Sequence, residues 1–144
     1  MLEFRDLRQS QLVEALSNFE QAKSVVRPAK GWLRAVREAL GMSQTALASV
    51  LKVSQSQLRS FELSEGKDSI TLHSLRRVAD AMNCELVYAI VPKSGTITEL
   101  AEQRAREHAI EEVLDLEHNM ALEDQTPENV KEMIEGETRR RLKK

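Results

Sequence analysis

Side chains suited to reading the edges of a nucleic acid crowd into one short stretch, Ser54-Gln55-Ser56-Gln57-Leu58-Arg59-Ser60. A carboxamide carries a donor beside an acceptor and pairs bidentately with adenine N6/N7. A hydroxyl is permissive, and a guanidinium either reads guanine or grips a phosphate. Gln44 and Thr45 stand at the head of the preceding segment, where free backbone amides and a side-chain amide bind phosphate. Lys30 upstream and Lys67 downstream add further candidate phosphate contacts.

Local charge points the same way. From 39 to 61, 23 residues, there is no Asp or Glu; even placement of the chain's 23 acids over 144 positions would put about four there. A surface that meets phosphates excludes acids because each one repels the duplex. The net charge of −2 hides this division. Residues 1–30 hold five basic and four acidic groups, residues 31–92 seven and six, and residues 93–144 nine and thirteen. Five of those last nine cations are Arg139, Arg140, Arg141, Lys143 and Lys144. The stretch 99–137 sets thirteen acids against Arg104, Arg106 and Lys131.

The elements that must position these residues are helical. Hydrophobic residues make up 41% of the chain and aromatics only 3%, with five Gly and three Pro, so the core is aliphatic and long helices are favoured over turn-rich β structure. Phe4, Leu7, Leu12, Ala15, Leu16, Phe19 and Ala22 keep helical spacing over 2–24. Pro28 and Gly31 mark a connector at 25–31. Four short helices follow: 32–40, stopping at Gly41; 43–51, capped by Ser43; 54–62, capped by Ser54; and 71–82, with Leu72, Leu75, Val78, Ala79 and Met82 on one face. At 84–91 the sequence Cys-Glu-Leu-Val-Tyr-Ala-Ile-Val, closed by Pro92, reads as a β-strand. A single strand cannot satisfy its own backbone, and the chain offers no comparable second one. Its simplest partner is therefore the same strand of a second copy, through Leu86, Val87, Tyr88, Ala89 and Ile90. A helix over 96–122 carries Ile97, Leu100, Ala101, Ala105, Ala109, Val113 and Leu116 on a stripe. A turn at 124–127 and a weakly apolar helix over 128–142 complete the chain. The expected organisation is an N-terminal helix and connector (1–30), a DNA-binding bundle (31–83), a dimerisation strand (84–92) and an acidic helical extension with a basic tail (93–144).

The segment 43–61 places two serine-capped helices three residues apart. Leu47, Leu51, Val53, Leu58 and Phe61 bury between them, and Ala48 is small where they must approach. Such a turn fixes a near-perpendicular crossing and pushes the second helix outward, where it fits the major groove of B-DNA. Trp32 reads as a packing anchor for the first helix rather than a base stacker.

This pattern of Gln44, Ala48, Lys52, Leu58 and Phe61 resembles the Cro/repressor-type helix-turn-helix family over residues 32–82. The resemblance implies an ion pair between Arg37 in the first helix and Glu62 at the end of the third. It departs at the turn, where Lys52 replaces the usual Gly; a left-handed non-Gly residue costs roughly 1 kcal/mol. The flanks 31–42, 87–92 and 118–125 further resemble the bacterial family called mobile mystery protein A. That likeness implies a DNA-binding regulator encoded beside a Fic-domain protein, and hence an antitoxin role. A known Fic-inhibitory motif sets Ser or Thr four residues before Glu-Gly or Glu-Asn. Here Glu65-Gly66 and Glu135-Gly136 are preceded at that distance by Phe61 and Lys131, so the motif is absent. The strand is similar to the dimer-forming strand of some helix-turn-helix antitoxins.

Other chemistries find little footing. The lone Cys84 excludes an intramolecular disulfide or a Cys-paired zinc site and reads as a buried strand residue. His73, His108 and His118 are scattered; His108 with Glu111 or Glu112 lacks a second metal-binding cluster, so no metal is expected. No phosphate loop or catalytic triad is present, so neither an enzyme nor a cofactor is expected. No run of 18 apolar residues exists and Glu3, Arg5, Asp6 and Arg8 head the chain, so neither a membrane span nor a secretory signal is expected, and the cytoplasm is the default. The sequence therefore predicts an all-α, Cro/repressor-like bundle with flanking helices and one β-strand. It is expected to act as a homodimeric repressor whose recognition helices sit about 34 Å apart on an inverted repeat. The alternative is an antitoxin that holds a Fic-domain partner through its flanking helices and autoregulates its operon.

Overall fold

The computed structural model describes residues 2–122 and 129–143. The turn expected at 124–127, the end of the resemblance stretch at 123–125 and Lys144 lie outside the described residues. The described residues form seven α-helices and one short 3-10 helix, in two compact units.

The first unit is Gln21–Tyr88. A 3-10 turn at Gln21–Ser24 leads through the connector to α2 (Trp32–Ala39), α3 (Gln44–Leu51), α4 (Gln55–Gly66) and α5 (Leu72–Ala81). Side-chain hydroxyls open three of these helices. Ser43 Oγ accepts from Ala46 N at 3.0 Å, Ser54 Oγ from Gln57 N at 3.1 Å and Thr71 Oγ1 from Ser74 N at 3.1 Å, each satisfying an amide that the helix cannot. Each of α2–α5 then ends on a positive-φ residue: Gly41, Lys52, Asp68 and Asn83. At each end the following amide reaches back to an orphan carbonyl, as Val53 N does to Ala48 O at 3.0 Å and Cys84 N to Ala79 O at 2.9 Å. Sharp starts and stops keep the helices short and let them cross. Leu33, Leu47, Ala48, Leu58, Val78 and Met82 form the shared core, with Val36, Leu51, Val53, Phe61 and Leu75 packed against it.

The second unit is Met1–Glu20 with Ala89–Lys144. It holds α1 (Leu2–Ser17), α6 (Ile97–Leu122) and α7 (Val130–Leu142). Thr96 and Glu99 form a reciprocal capping box at the head of α6, Thr96 N to Glu99 Oε2 at 2.9 Å and Glu99 N to Thr96 Oγ1 at 3.2 Å. Helix α6 packs against both α1 and α7. Its buried face is small: Ala105, Ala109 and Val113. Phe4, Leu7 and Leu12 of α1 and Leu100 and Leu116 of α6, expected on apolar stripes, are exposed. Arg5 Nη1 donates to the terminal carbonyls of Arg141 and Leu142 at 3.1 and 3.0 Å, satisfying the end of α7.

Three expectations need correction. Residues 84–91 form no strand, and no strand occurs among the described residues; the segment carries β-forming side chains but has no ladder partner among those residues, and β preference without a neighbouring strand does not make a ladder. The helix read over 2–24 stops at Ser17 and gives way to turns and the 3-10 segment, because no buried face carries it onward. The helix read as ending near Glu62 continues to Gly66, since Glu65 has a buried task beyond the core stripe. The helix expected over 128–142 is described as Val130–Leu142.

Candidate nucleic-acid interface

Leu47 and Leu58, both fully buried, pin α3 and α4 together, and Ala48 is buried beside them. Lys52 makes the turn between the two helices in the left-handed conformation, φ 57° and ψ 42°, so a lysine adopts the geometry that usually calls for glycine. With Leu58 turned inward, the rest of the first turns of α4 face solvent. Ser54, Gln55, Ser56, Gln57, Arg59 and Ser60 are all exposed, as is Thr45 on α3. The Ser54 hydroxyl is committed to the cap, and the three polar side chains that follow it are free of protein partners among the described residues.

Beneath this surface lies a buried ion pair. Arg37 Nε donates to Glu62 Oε1 at 2.5 Å and Nη2 to Oε2 at 3.3 Å, while Nη1 reaches the Met42 carbonyl at 2.8 Å. Both side chains are more than nine-tenths buried. The hydrogen bond to Glu62 outweighs the burial and pushes the Arg37 guanidinium above its ordinary value, so it stays charged at every accessible pH. Gln44 joins the pair: its Nε2 donates to Glu62 Oε2 at 2.9 Å. The side-chain amide expected to bind phosphate is thus tied to α4, the helix that carries the residues expected to read bases.

A second buried carboxylate was not legible as a site residue. Glu65 Oε1 and Oε2 accept from Trp32 N at 2.6 Å and Leu33 N at 2.8 Å, taking the place of a side-chain cap on α2. Gly31 permits this approach, since a Cβ there would meet Glu65 Oε2 at 2.5 Å. The only sequence signal was the glycine before Trp32, a residue type common at helix starts that brings no side chain to cap the amides. Arg27 reinforces the junction by pairing with Asp68.

The cations gather separately from the exposed first turn. Lys30, Arg34, Arg59 and Lys67, with Gln44 and Glu62, line one open pocket of about 290 Å³. Gln55, Ser56, Gln57 and Ser60 are not part of it. Arg34 was not singled out by sequence; its Nε donates to Glu38 Oε1 at 2.7 Å, and that bond holds the Glu38 carboxyl below its usual range. On another face, Trp32, Val36, Leu75, Met82, Leu86 and Val87 line a mostly apolar groove of about 360 Å³. Trp32, expected as a packing anchor for its helix, is 45% exposed there. Of the other residues expected to pair in a dimer, Tyr88 lies under Arg76, whose guanidinium is 5.5 Å from the ring centre, and Ala89 and Ile90 are exposed.

Among the described residues no three His, Cys, Asp or Glu side chains gather to hold a metal ion; His108 Nδ1 only meets Glu111 Oε2 at 3.5 Å on an exposed helix face. Among the same residues no helix is long and apolar enough to cross a membrane.

Residues 33–88 match the family model described as helix-turn-helix. They form a Cro/C1-type helix-turn-helix domain, which supports, in general terms, a DNA-binding transcription regulator. No curated protein and no solved structure matches the chain significantly.

Proposed function

We propose, from a Cro/C1-type helix-turn-helix domain at residues 33–88, that the protein is a sequence-specific, homodimeric repressor that reads an inverted repeat through the major groove. The observation that carries this reading is the solvent-facing start of α4: Gln55, Ser56 and Gln57 are exposed and unpaired, directly over the buried Leu58. Carboxamides held on a rigid helix terminus suit adenine edges, and the absence of acids from 39 to 61 suits the surrounding phosphates. The exposed apolar Val87, Tyr88 and Ile90 give a second copy something to bury, and two-fold pairing would present two recognition helices to one operator. The division proposed with it is an N-terminal helix and connector at 1–30, a DNA-reading bundle at 31–83, a segment joining the copies at 84–92 and an extension at 93–144, while the compact units divide after Glu20 and after Tyr88.

The test is selection of bound fragments from random DNA, followed by Gln55→Ala with Ser56→Ala. Each lost base contact is expected to cost about 1–3 kcal/mol and to relax the preference at its own position. Unchanged operator binding by the double variant overturns the assignment. Sedimentation of Val87→Asp tests the dimer; an undisturbed dimer removes this segment from the interface.

A second reading is an antitoxin that binds a Fic-domain partner, as the likeness to the mobile mystery protein A family implies. The exposed Phe4, Leu7 and Leu12 of α1 and Leu114 and Leu116 of α6 favour it, because they leave apolar surface uncovered on the unit that carries no helix-turn-helix. Co-expression of a neighbouring Fic-domain protein with the full chain, and with a chain lacking 97–144, separates the readings. Retention of the partner by the full chain alone supports the antitoxin.

A further inference from the structure

We propose that the pocket lined by Lys30, Arg34, Arg59 and Lys67 holds one backbone phosphate of the operator, so that Arg59 grips the duplex rather than reading guanine. This deepens the groove-binding reading and rests on it. Arg59 follows Leu58 on α4, yet its side chain lines the same pocket as Lys30 of the connector, Arg34 of α2 and Lys67 after the end of α4. Gln55, Ser56 and Gln57 occupy the exposed end of the helix and do not share that pocket. Four basic residues, from the connector, α2, α4 and the end of α4, thus contribute to the lining of one concavity.

The charge balance explains why an anion is required. The one acid in the lining is Glu62, and its carboxylate is already taken by Arg37 and Gln44. Arg34 is partly answered by Glu38, at 2.7 Å on the outer side of α2. Arg59 and Lys67 make no ion pair within 4 Å among the described residues, and Lys30 acts on Glu38 only at longer range. Several uncompensated cations around a solvent-filled pocket repel one another until an anion enters. A phosphodiester supplies one at the rim of the helix that meets the groove, and such contacts fix register without carrying sequence information. The pocket would in this way set how deeply the first turn of α4 enters the groove.

The decisive comparison uses the full chain, the selected operator and a random duplex of equal length. Arg59→Ala and Arg34→Ala, each checked for unchanged helix content by circular dichroism, are expected to weaken binding to both duplexes by the same factor. Each should reduce the slope of log affinity against log salt by about one, with base preferences unaltered. Ethylating single operator phosphates should find one or two per half-site whose modification weakens the wild type but not these variants. Loss of preference at one base pair in Arg59→Ala, or unchanged affinity and salt slope in both variants, overturns the proposal. Inorganic phosphate distinguishes a free-anion site: an Arg59-dependent rise in melting temperature, with operator binding indifferent to Arg59 and Arg34, overturns the backbone source. Failure of the groove reading looks different. There the wild type shows no base preference, yet its binding to random duplex still depends on Arg59 and Arg34.

Discussion

The two compact units of this chain are built on different physics. The unit Gln21–Tyr88 closes over fully buried Leu47, Leu58 and Val78 and stakes its helix junctions on two buried carboxylates, Glu62 and Glu65. The unit of α1, α6 and α7 buries Ala105, Ala109 and Val113 and otherwise relies on surface pairs such as Glu112 with Arg141 at 2.7 Å. A buried, fully answered polar network fixes one arrangement because any other leaves a charge unsatisfied in low dielectric. Exposed pairs impose little, since water competes for each partner. The contrast suits the proposed roles: a helix that reads base edges must hold its first turn to within about half an ångström of the productive position, while a flanking helix can tolerate slack.

Several measurements break or sharpen that contrast, and Trp32, the single tryptophan, reports on the first unit alone. The largest effect is expected from Glu62→Ala, which strands the Arg37 guanidinium. Urea denaturation followed by Trp32 fluorescence should show a loss of about 3–5 kcal/mol, and operator binding should fall with it. Arg141→Ala, its counterpart on the surface of the other unit, should leave that transition in place. Next comes core truncation. Leu47→Ala, at a fully buried site, should cost about 3–5 kcal/mol in the same assay, against about 2 kcal/mol for Val113→Ala measured by far-ultraviolet circular dichroism. Equal losses at the two sites would contradict a thinner core in the flanking helices. A smaller change of opposite sign is expected from Lys52→Gly, which relieves the left-handed lysine and should stabilise the first unit by about 1 kcal/mol.

The smallest effect is a pH response. The hydrogen bond from Arg141, then one with Glu137, holds the Glu112 carboxyl below its ordinary value near 4.5. A carboxyl lowered on folding contributes stability that is complete above its unfolded value and lost as pH falls through the folded one. Helix content of α6 and α7 should therefore weaken only below about pH 4.5, and Glu112→Gln should flatten that limb. A response of unchanged size in the variant assigns it to other carboxylates.

Much of the first unit was legible because its signals are local. Ser43 and Ser54 each stand at the head of an apolar periodicity, and each cap is made by an amide three residues on. The exposed positions of α4 follow from Leu58 turning inward, which a 3.6-residue repeat already dictates. The segment 84–91 misled for the complementary reason. Its Val, Tyr and Ile prefer extended backbone, but a ladder needs a second strand, and no local preference supplies one. The length of α4 was misread because the reason for its last turn, Glu65, acts 32 and 33 positions away in sequence, on Leu33 and Trp32.

The amino-acid order alone settled which segments are helical over 32–82, which side chains line their shared core and which polar residues stand at the head of α4, since caps, periodicity and charge are properties of neighbours along the chain. Only the folded arrangement decided that Gln44 serves Glu62, that Glu65 closes the start of α2, and that Lys30, Arg34, Arg59 and Lys67 meet around one pocket. Those groups come from separate elements, and their proximity depends on helix crossing angles set by the packing of Leu47, Ala48 and Leu58, which no reading of adjacent residues contains.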